Sequence, residues 1–375
     1  MLYVGRYRDT LYEDDMGIKL STLTDISPNI IPETETLKHA LEQLDKVFVK
    51  VLLVVNKDIF VATLTDGDVR RAILAGALLE TPVSQFANYH PIYLEYDDEY
   101  LAQKYINEKK ITALPILSQE KKILKVYISG IDEQRKDFDK LSIPVVIMAG
   151  GLGTRLYPYT KILPKPLIPV ADVPISERIV QSFQKIGCQE FHMIVNYKKN
   201  MIRAYFNDTD CNYNINFWDE SGPLGTGGGL YLLKDDIHDT FILTNCDILI
   251  LDDVRRIVEH HKKEKNKVTM VCSLKNFEIP YGVVNFSEGG QISSFEEKPK
   301  MSFFTNTGYY ILEKEIFQYI QPNEKIGMPD IISRMMNDGQ KVGIYPISEN
   351  AWLDMGQFDT MESMEIKLKE IKMYL

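Results

Sequence analysis

The feature that most constrains this chain is an apolar run over 143–149 (IPVVIMA) that stops at Gly150 and continues Gly151-Leu152-Gly153-Thr154-Arg155. A short run apolar on both faces and bounded by glycine reads as a buried strand of a parallel sheet. Glycines placed directly after such a strand let the backbone approach a phosphate closely and aim successive N–H groups at it. Arg155 and Lys165 add two cations just downstream. Two rival phosphate loops fail on spacing. A Walker A loop needs Gly-Lys before a hydroxyl residue, and that dipeptide is missing here; a dinucleotide fingerprint needs a third glycine where this chain has Leu156.

From this run onward the pattern alternates. Strands are expected at 191–196, 241–245, 267–273, 281–286, 291–297 and 307–312, and helices near 175–187, 225–234, 252–263, 328–337 and 359–372. Strand–helix alternation predicts an α/β domain with a Rossmann-like, mostly parallel mixed sheet. It should occupy 143–375 and end in an amphipathic helix.

The preceding residues read differently. Two passages, KVLLVVN with IFVATLTDGDVRRAILAG and ITALPILSQ with ILKVYISGIDEQRKDF, repeat helix, strand, turn, strand and helix with a period of about 60 residues. Each repeat places a hydroxyl at a strand end and an aspartate at the opening of the next helix: Thr65 with Asp68, and Ser129 with Asp132. Such a pair can hold a phosphate oxygen and ribose hydroxyls, or simply cap the helix. TLTDGDVRRAI resembles a CBS module, and the second copy is marked only by SGID. The resemblance implies an α+β tandem CBS pair over 21–138 (about 21–80 and 81–138), after an N-terminal extension of 1–20, with an adenine nucleotide as its ligand.

Composition bounds the partners. The net charge is -10, from 53 acidic and 43 basic residues, with no basic block. Neither nucleic acid nor an anionic membrane suits such a surface. The four cysteines are scattered, the first residues do not read as a signal peptide, and no apolar run reaches the roughly 18 residues of a spanning helix. Cytoplasmic residence is the expectation.

The string from Met148 to Arg155, joined to TRLYPYTKILPKPLIPV, resembles the sugar nucleotidyltransferase family, and in particular its guanylyltransferase-like branch. Further motifs follow in the family's order. Glu220-Ser-Gly-Pro223-Leu-Gly225-Thr226 resembles its base and ribose loop. Thr244-Asn245-Cys246-Asp247 resembles its Asn-Gly-Asp, with Cys246 in the glycine's place. Gly282, then Glu297 and Lys298, then Asn306 and Thr307, correspond to its sugar and sugar-phosphate contacts. Trp352-Leu353-Asp354 supplies a second aspartate. The resemblance implies that Ala149, Gly150, Gly151, Gly153, Thr154, Glu220, Pro223, Gly225 and Thr226 bind the nucleotide. Arg155, Lys165, Asp247 and Asp354 would be catalytic, and Asp247 and Asp354 would hold Mg²⁺.

The expected reaction is in-line attack of a sugar 1-phosphate on the α-phosphorus of a nucleoside triphosphate, with pyrophosphate leaving. The sugar phosphate is mostly a dianion at neutral pH and needs no general base, which suits a chain whose motifs contain no histidine. GTP is favoured, because a carboxylate such as Glu220 can accept both guanine donors; UTP and CTP stand behind it. Glucosamine 1-phosphate is the preferred sugar, and a homo-oligomer is expected. The rival class is a nucleotide-sensing regulator whose transferase-like domain is inactive.

Overall fold

The computed structural model describes residues 20–23, 25–47, 49–129, 140–208 and 213–374. The chain forms two compact units, Met1–Ala72 with Ala77–Asp137, and Ile73–Gly76 with Phe138–Leu375.

In the first unit the helix–strand–strand order occurs twice. The first copy runs Leu37–Lys46, Val51–Asn56, Ile59–Thr65 and then helix Asp66–Leu74; the second runs Glu99–Lys109, Ala113–Leu117 and Ile123–Ile128. Lys57 and Asp58 both take positive φ, the hairpin geometry whose twist matches its flanking strands. The copies share apolar packing, in which Val51, Leu53 and Phe60 meet Leu117, Val126 and Ile128. The segment expected to close the second copy, with Asp132, lies outside the described residues.

The second unit is built on a seven-stranded sheet in the order Asn214–Asp219, Glu190–Val195, Val145–Ala149, Phe241–Asn245, Lys300–Leu312, Val268–Glu278, Val342–Ile347. The first four are mutually parallel. Lys300–Leu312 is antiparallel to both its neighbours, and Val342–Ile347 runs parallel to Val268–Glu278. The sheet is therefore mixed and mostly parallel. Apolar clusters cover its two faces. Val145, Ile147 and Phe191 belong to one, with Ile179 and Ile257 from the helices Ile175–Lys185 and Val254–Glu264. Val146, Ile194 and Leu243 belong to the other, with Ile331 and Met335 from the helix Met328–Asn337. Alternate residues of one strand thus feed opposite layers, which is why 143–149 is apolar throughout.

The strand Val145–Ala149 lies between Glu190–Val195 on one side and Phe241–Asn245 on the other. Its carboxyl end is a point where successive connections leave in opposite directions, the place where open α/β sheets form a crevice. The glycine turn sits there. The 225–234 stretch is a 3-10 helix, Gly228–Leu233, and not a full α-helix. The strands expected at 267–273 and 307–312 are longer, Val268–Glu278 and Lys300–Leu312, and pair as a ribbon. The helix Lys199–Asp208 and the strands Asn214–Asp219 and Val342–Ile347 had no counterpart in the expected elements. Among the described residues no helix is long and apolar enough to cross a membrane.

Candidate active site

The turn after Ala149 is shaped by what lies behind it. Gly153 has φ 65°, and a Cβ there would stand 2.8 Å from the Cγ2 of buried Thr160. The Thr160 hydroxyl donates to the Gly153 carbonyl at 2.9 Å. The next turn is clamped from outside: the Lys198 ammonium donates to the carbonyls of Lys161 and Ile162 at 2.7 Å each, and the Tyr197 hydroxyl donates to that of Thr160 at 3.1 Å. Gly151 and Thr154 are exposed on the open side.

Asp247 follows the strand Phe241–Asn245. The short strand Ile248–Ile250 then pairs antiparallel with Trp352–Asp354, setting Ile248 opposite Asp354, and the Met355 N–H donates to the Asp247 carbonyl at 2.9 Å. Two acidic residues 107 positions apart are thereby brought side by side. Burial, and next the neighbouring Asp247, push the Asp354 carboxyl above its ordinary value; Lys165 and Arg155 pull it back. The Lys165 ammonium is ion-paired with Asp247, with side chains only 12% and 11% exposed. Cys246 is buried, its thiol pushed up to about 12. It is not among the positive-φ residues, so this turn does not need a glycine.

Arg155, Asp247 and Asp354 line one cleft of about 310 Å³ together with Thr226, Asn306 and Thr307. The same cleft includes Asn245, Ile248, Gly308, Tyr310, Met328, Pro329 and Trp352, none of which the motif reading had singled out as a site residue. Asn245 and Trp352 were visible within quoted motifs. Met328 and Pro329 arrive from a distant helix and carried no local signal. Thr307 is buried and donates to the Val271 carbonyl at 2.8 Å, while the Asn306 side chain donates to the Tyr310 hydroxyl at 2.5 Å.

The loop holding Pro223, Gly225 and Thr226 is fastened to the residues before helix Met328–Asn337. The Ile326 N–H donates to Leu224, the N–H groups of Gly227 and Gly228 donate to Ile326, and the Thr226 hydroxyl accepts from the Met328 N–H at 3.1 Å. Gly225 has φ 83°, and a Cβ there would stand 2.6 Å from the Ile326 carbonyl oxygen. Glu220 is buried beside Gly150 and Gly229, where any side chain at either position would run into its carboxyl. Its Oε1 has no hydrogen-bond partner, and burial pushes the carboxyl up to about 7.

Gly282, Glu297 and Lys298 do not line this cleft. Glu297 and Lys298 are exposed, on and beside a hairpin that carries few buried residues. In the first unit, the Asp68 carboxylate accepts from both the N–H and the hydroxyl of Thr65, at 2.8 and 2.6 Å, and pairs with Arg71. That is a helix cap, complete in itself. Ser129 donates its N–H to the Thr112 carbonyl at 3.1 Å.

The oxygen donors at Asp247 and Asp354 suit a hard divalent cation, which would also relieve the crowded negative charge that raises Asp354. Among the described residues no group of three or more His, Cys, Asp or Glu could hold a metal. The pair would therefore share a cation with ligand phosphates and water.

A glycine turn at a parallel-strand end, two cations and a facing pair of carboxylates thus meet around one cleft. Residues 144–370 match the family described as Nucleotidyl transferase, and the chain belongs to that family. Among similar proteins is the D-glycero-alpha-D-manno-heptose 1-phosphate guanylyltransferase of Campylobacter jejuni, 32% identical over 50% of this chain and 83% of its own length. The Bifunctional protein GlmU of Methanococcus aeolicus is 32% identical over 60% of this chain and 55% of its own length. The Mannose-1-phosphate guanylyltransferase catalytic subunit beta of Dictyostelium discoideum is 31% identical over 60% of this chain and 65% of its own. The chain thus spans little more than half of the Methanococcus protein and under two thirds of the Dictyostelium one.

Proposed function

We propose that this chain transfers a nucleotidyl group from a nucleoside triphosphate to a sugar 1-phosphate and releases pyrophosphate. The observation that carries the reading is the convergence of Arg155, Lys165, Asp247 and Asp354 at one cleft beside the glycine turn. Two anions must meet there while charge grows on the departing pyrophosphate, so fixed cations and oriented amides do most of the work. In this reading the amides from Ala149 to Thr154 cradle the triphosphate. Arg155 neutralises it, and Lys165 turns from Asp247 to a phosphate oxygen when the nucleotide enters. Asp247 and Asp354 would hold Mg²⁺, which when bound supplies charge neutralisation and alignment for the phosphates. Glu297 and Lys298 reach the sugar phosphate from the hairpin, Gly282 leaves room beside them, and Asn306 and Thr307 meet the sugar. The attacking phosphate is its own nucleophile, and no side chain is needed as a base.

Guanine is the favoured base. Glu220 supports that reading, because a buried carboxylate with an orphaned oxygen suits a base edge that offers two adjacent N–H donors. Two of the similar proteins carry guanylyltransferase names. Glucosamine 1-phosphate is the first sugar to test, and cytoplasmic residence belongs to the same proposal. For the first unit we propose a CBS-like role, with an adenine nucleotide bound near Thr65, Asp68, Ser129 and Asp132. The test is an activity matrix: four nucleoside triphosphates against a panel of sugar 1-phosphates with Mg²⁺, read as pyrophosphate release. Turnover led by GTP is expected. Silence across the matrix would favour an inactive nucleotide sensor.

A further inference from the structure

Glu220 is anchored on both sides of its backbone, yet its Oε1 is buried without a hydrogen-bond partner. Its N–H donates to the Val195 carbonyl at 3.0 Å, at the end of the strand Glu190–Val195, and the Ser221 hydroxyl donates to Asn323 Oδ1 at 3.1 Å. Between these anchors the residue is only 8% exposed. A Cβ at Gly150 would overlap Oε2, and one at Gly229 would stand 2.6 Å from Oε1 and 2.8 Å from the Ile194 methyl. The carboxyl therefore lies against the same glycine turn that the proposed nucleotide site uses. Nothing around it compensates its charge. The strand end, the turn and the 3-10 helix Gly228–Leu233 bring Ile194, Asn196, Gly150 and Gly229 to it, all uncharged. Asp219, next in the chain, is already paired with Lys199 at 3.0 Å and with Arg203 at 2.6 Å. Burial alone pushes the Glu220 carboxyl up to about 7. Near neutral pH the folded chain thus holds this group in two forms.

The two forms carry different donor and acceptor sets. A carboxylate only accepts, so it matches guanine, whose N1–H and N2–H₂ are adjacent donors. Uracil, cytosine and adenine each set an acceptor beside their donor. A carboxylate facing that acceptor opposes lone pair to lone pair in a desolvated contact and leaves polar atoms unpaired. A carboxylic acid donates once and accepts once. It matches those three bases, and it also matches the O6 and N1–H of guanine. Ionisation therefore costs guanine nothing and turns the other bases away, which is selection by exclusion.

We infer that the proton on Glu220 sets how strictly this site selects its base: the carboxylate admits guanine and rejects the rest, and the carboxylic acid admits the other bases as well. The inference rests on the nucleotide site proposed above and names the group that enforces its base choice. The experiment is calorimetric titration of the full chain with GTP and with UTP, each with Mg²⁺, from about pH 6 to pH 8. The two triphosphates titrate alike, so the ratio of their affinities isolates the base. UTP binding is limited by the fraction of the protein that holds the proton, and for a group titrating near 7 that fraction falls about tenfold over this range. The wild-type GTP-to-UTP ratio is expected to climb about tenfold with it. In Glu220→Gln, which donates and accepts like the acid, the ratio is expected to stay flat at the wild type's low-pH value. Asp219→Asn removes the neighbouring charge and is expected to keep the full slope. A wild-type ratio that favours GTP equally at every pH overturns the inference and leaves the guanine reading standing; a flat ratio with no preference removes both. A slope that survives in Glu220→Gln belongs to another group and also overturns the inference.

Discussion

The ammonium of Lys165 is ion-paired with the carboxylate of Asp247, 82 residues further along, and both side chains are nearly out of water. In this arrangement the lysine holds the oxygen that a cation would need. A buried charge stripped of its partner is strongly unfavourable, so the pair can open only when phosphate and cation replace both partners together.

The first prediction follows from that competition. Lys165→Met should bind Mn²⁺ without nucleotide about tenfold more tightly than the wild type, an increment of about 1.4 kcal/mol, while its turnover falls at least about a hundredfold. Electron paramagnetic resonance of free Mn²⁺ measures the first and pyrophosphate release the second. Equal or weaker Mn²⁺ binding by the variant would show that the lysine does not guard the site.

Asp247→Asn and Asp354→Asn should each abolish turnover while the fold survives. Asp354 is the more informative. Its carboxyl is raised by burial and by Asp247, so Asp247→Asn removes a repulsion as well as a ligand. Circular dichroism should be unchanged in both, and near-normal pyrophosphorolysis in either would sink the metal assignment.

Glu220 makes stability depend on pH in a stated direction. Its carboxyl is pushed up to about 7, above the ordinary value near 4.5. Between those values the folded chain holds a proton that the unfolded chain has released, so stability falls as pH rises through the window and the loss is complete above about 7. Relative to Glu220→Gln, the wild type should melt progressively lower from about pH 5 to pH 8. A constant offset between the two melting curves would contradict the assignment. If the ionised form reads guanine, GTP affinity should rise over the same window in the wild type only.

Gly225→Ala tests the fastening of the base loop. The residue takes a left-handed φ of 83°, and its new Cβ would press on the Ile326 carbonyl. Strain of this kind costs about 1–3 kcal/mol. Thermal melting should show that loss, and the Michaelis constant for the triphosphate should rise, because the loop moves with its anchor. Unchanged kinetics would separate the loop from nucleotide binding.

In the first unit, Thr65 and Asp68 already satisfy each other. Asp68→Ala should cost about 1 kcal/mol as a lost helix cap. If an adenine nucleotide also binds there, calorimetry should show AMP or ATP binding in the wild type and none in the variant. No heat in either would leave the pair as a cap alone.

Much of the second unit was legible in the chain because its signals are local. The run over 143–149 alternates between two apolar layers, and the helix at 328–337 and the strand at 241–245 match their apolar spacing and length. The ribbon was read short at both strands, because residues such as Asn276 and Ser302 carry no strand signal and are held by pairing across to the neighbour. The helix Lys199–Asp208 buries only Ile202 and Phe206, too sparse a stripe to stand out.

The sequence by itself determined the glycine turn, the identity of the cations and carboxylates, and their order, since these are properties of short stretches whose chemistry does not depend on distant partners. Only the tertiary structure decided that Lys165 meets Asp247, that Asp354 crowds the same carboxylate, that Glu220 lies buried beneath two glycines, and that Glu297 and Lys298 stand on an exposed hairpin. The physical reason is that charge pairing, desolvation and exposure are set by what surrounds a side chain, and those surroundings come from parts of the chain a hundred residues away.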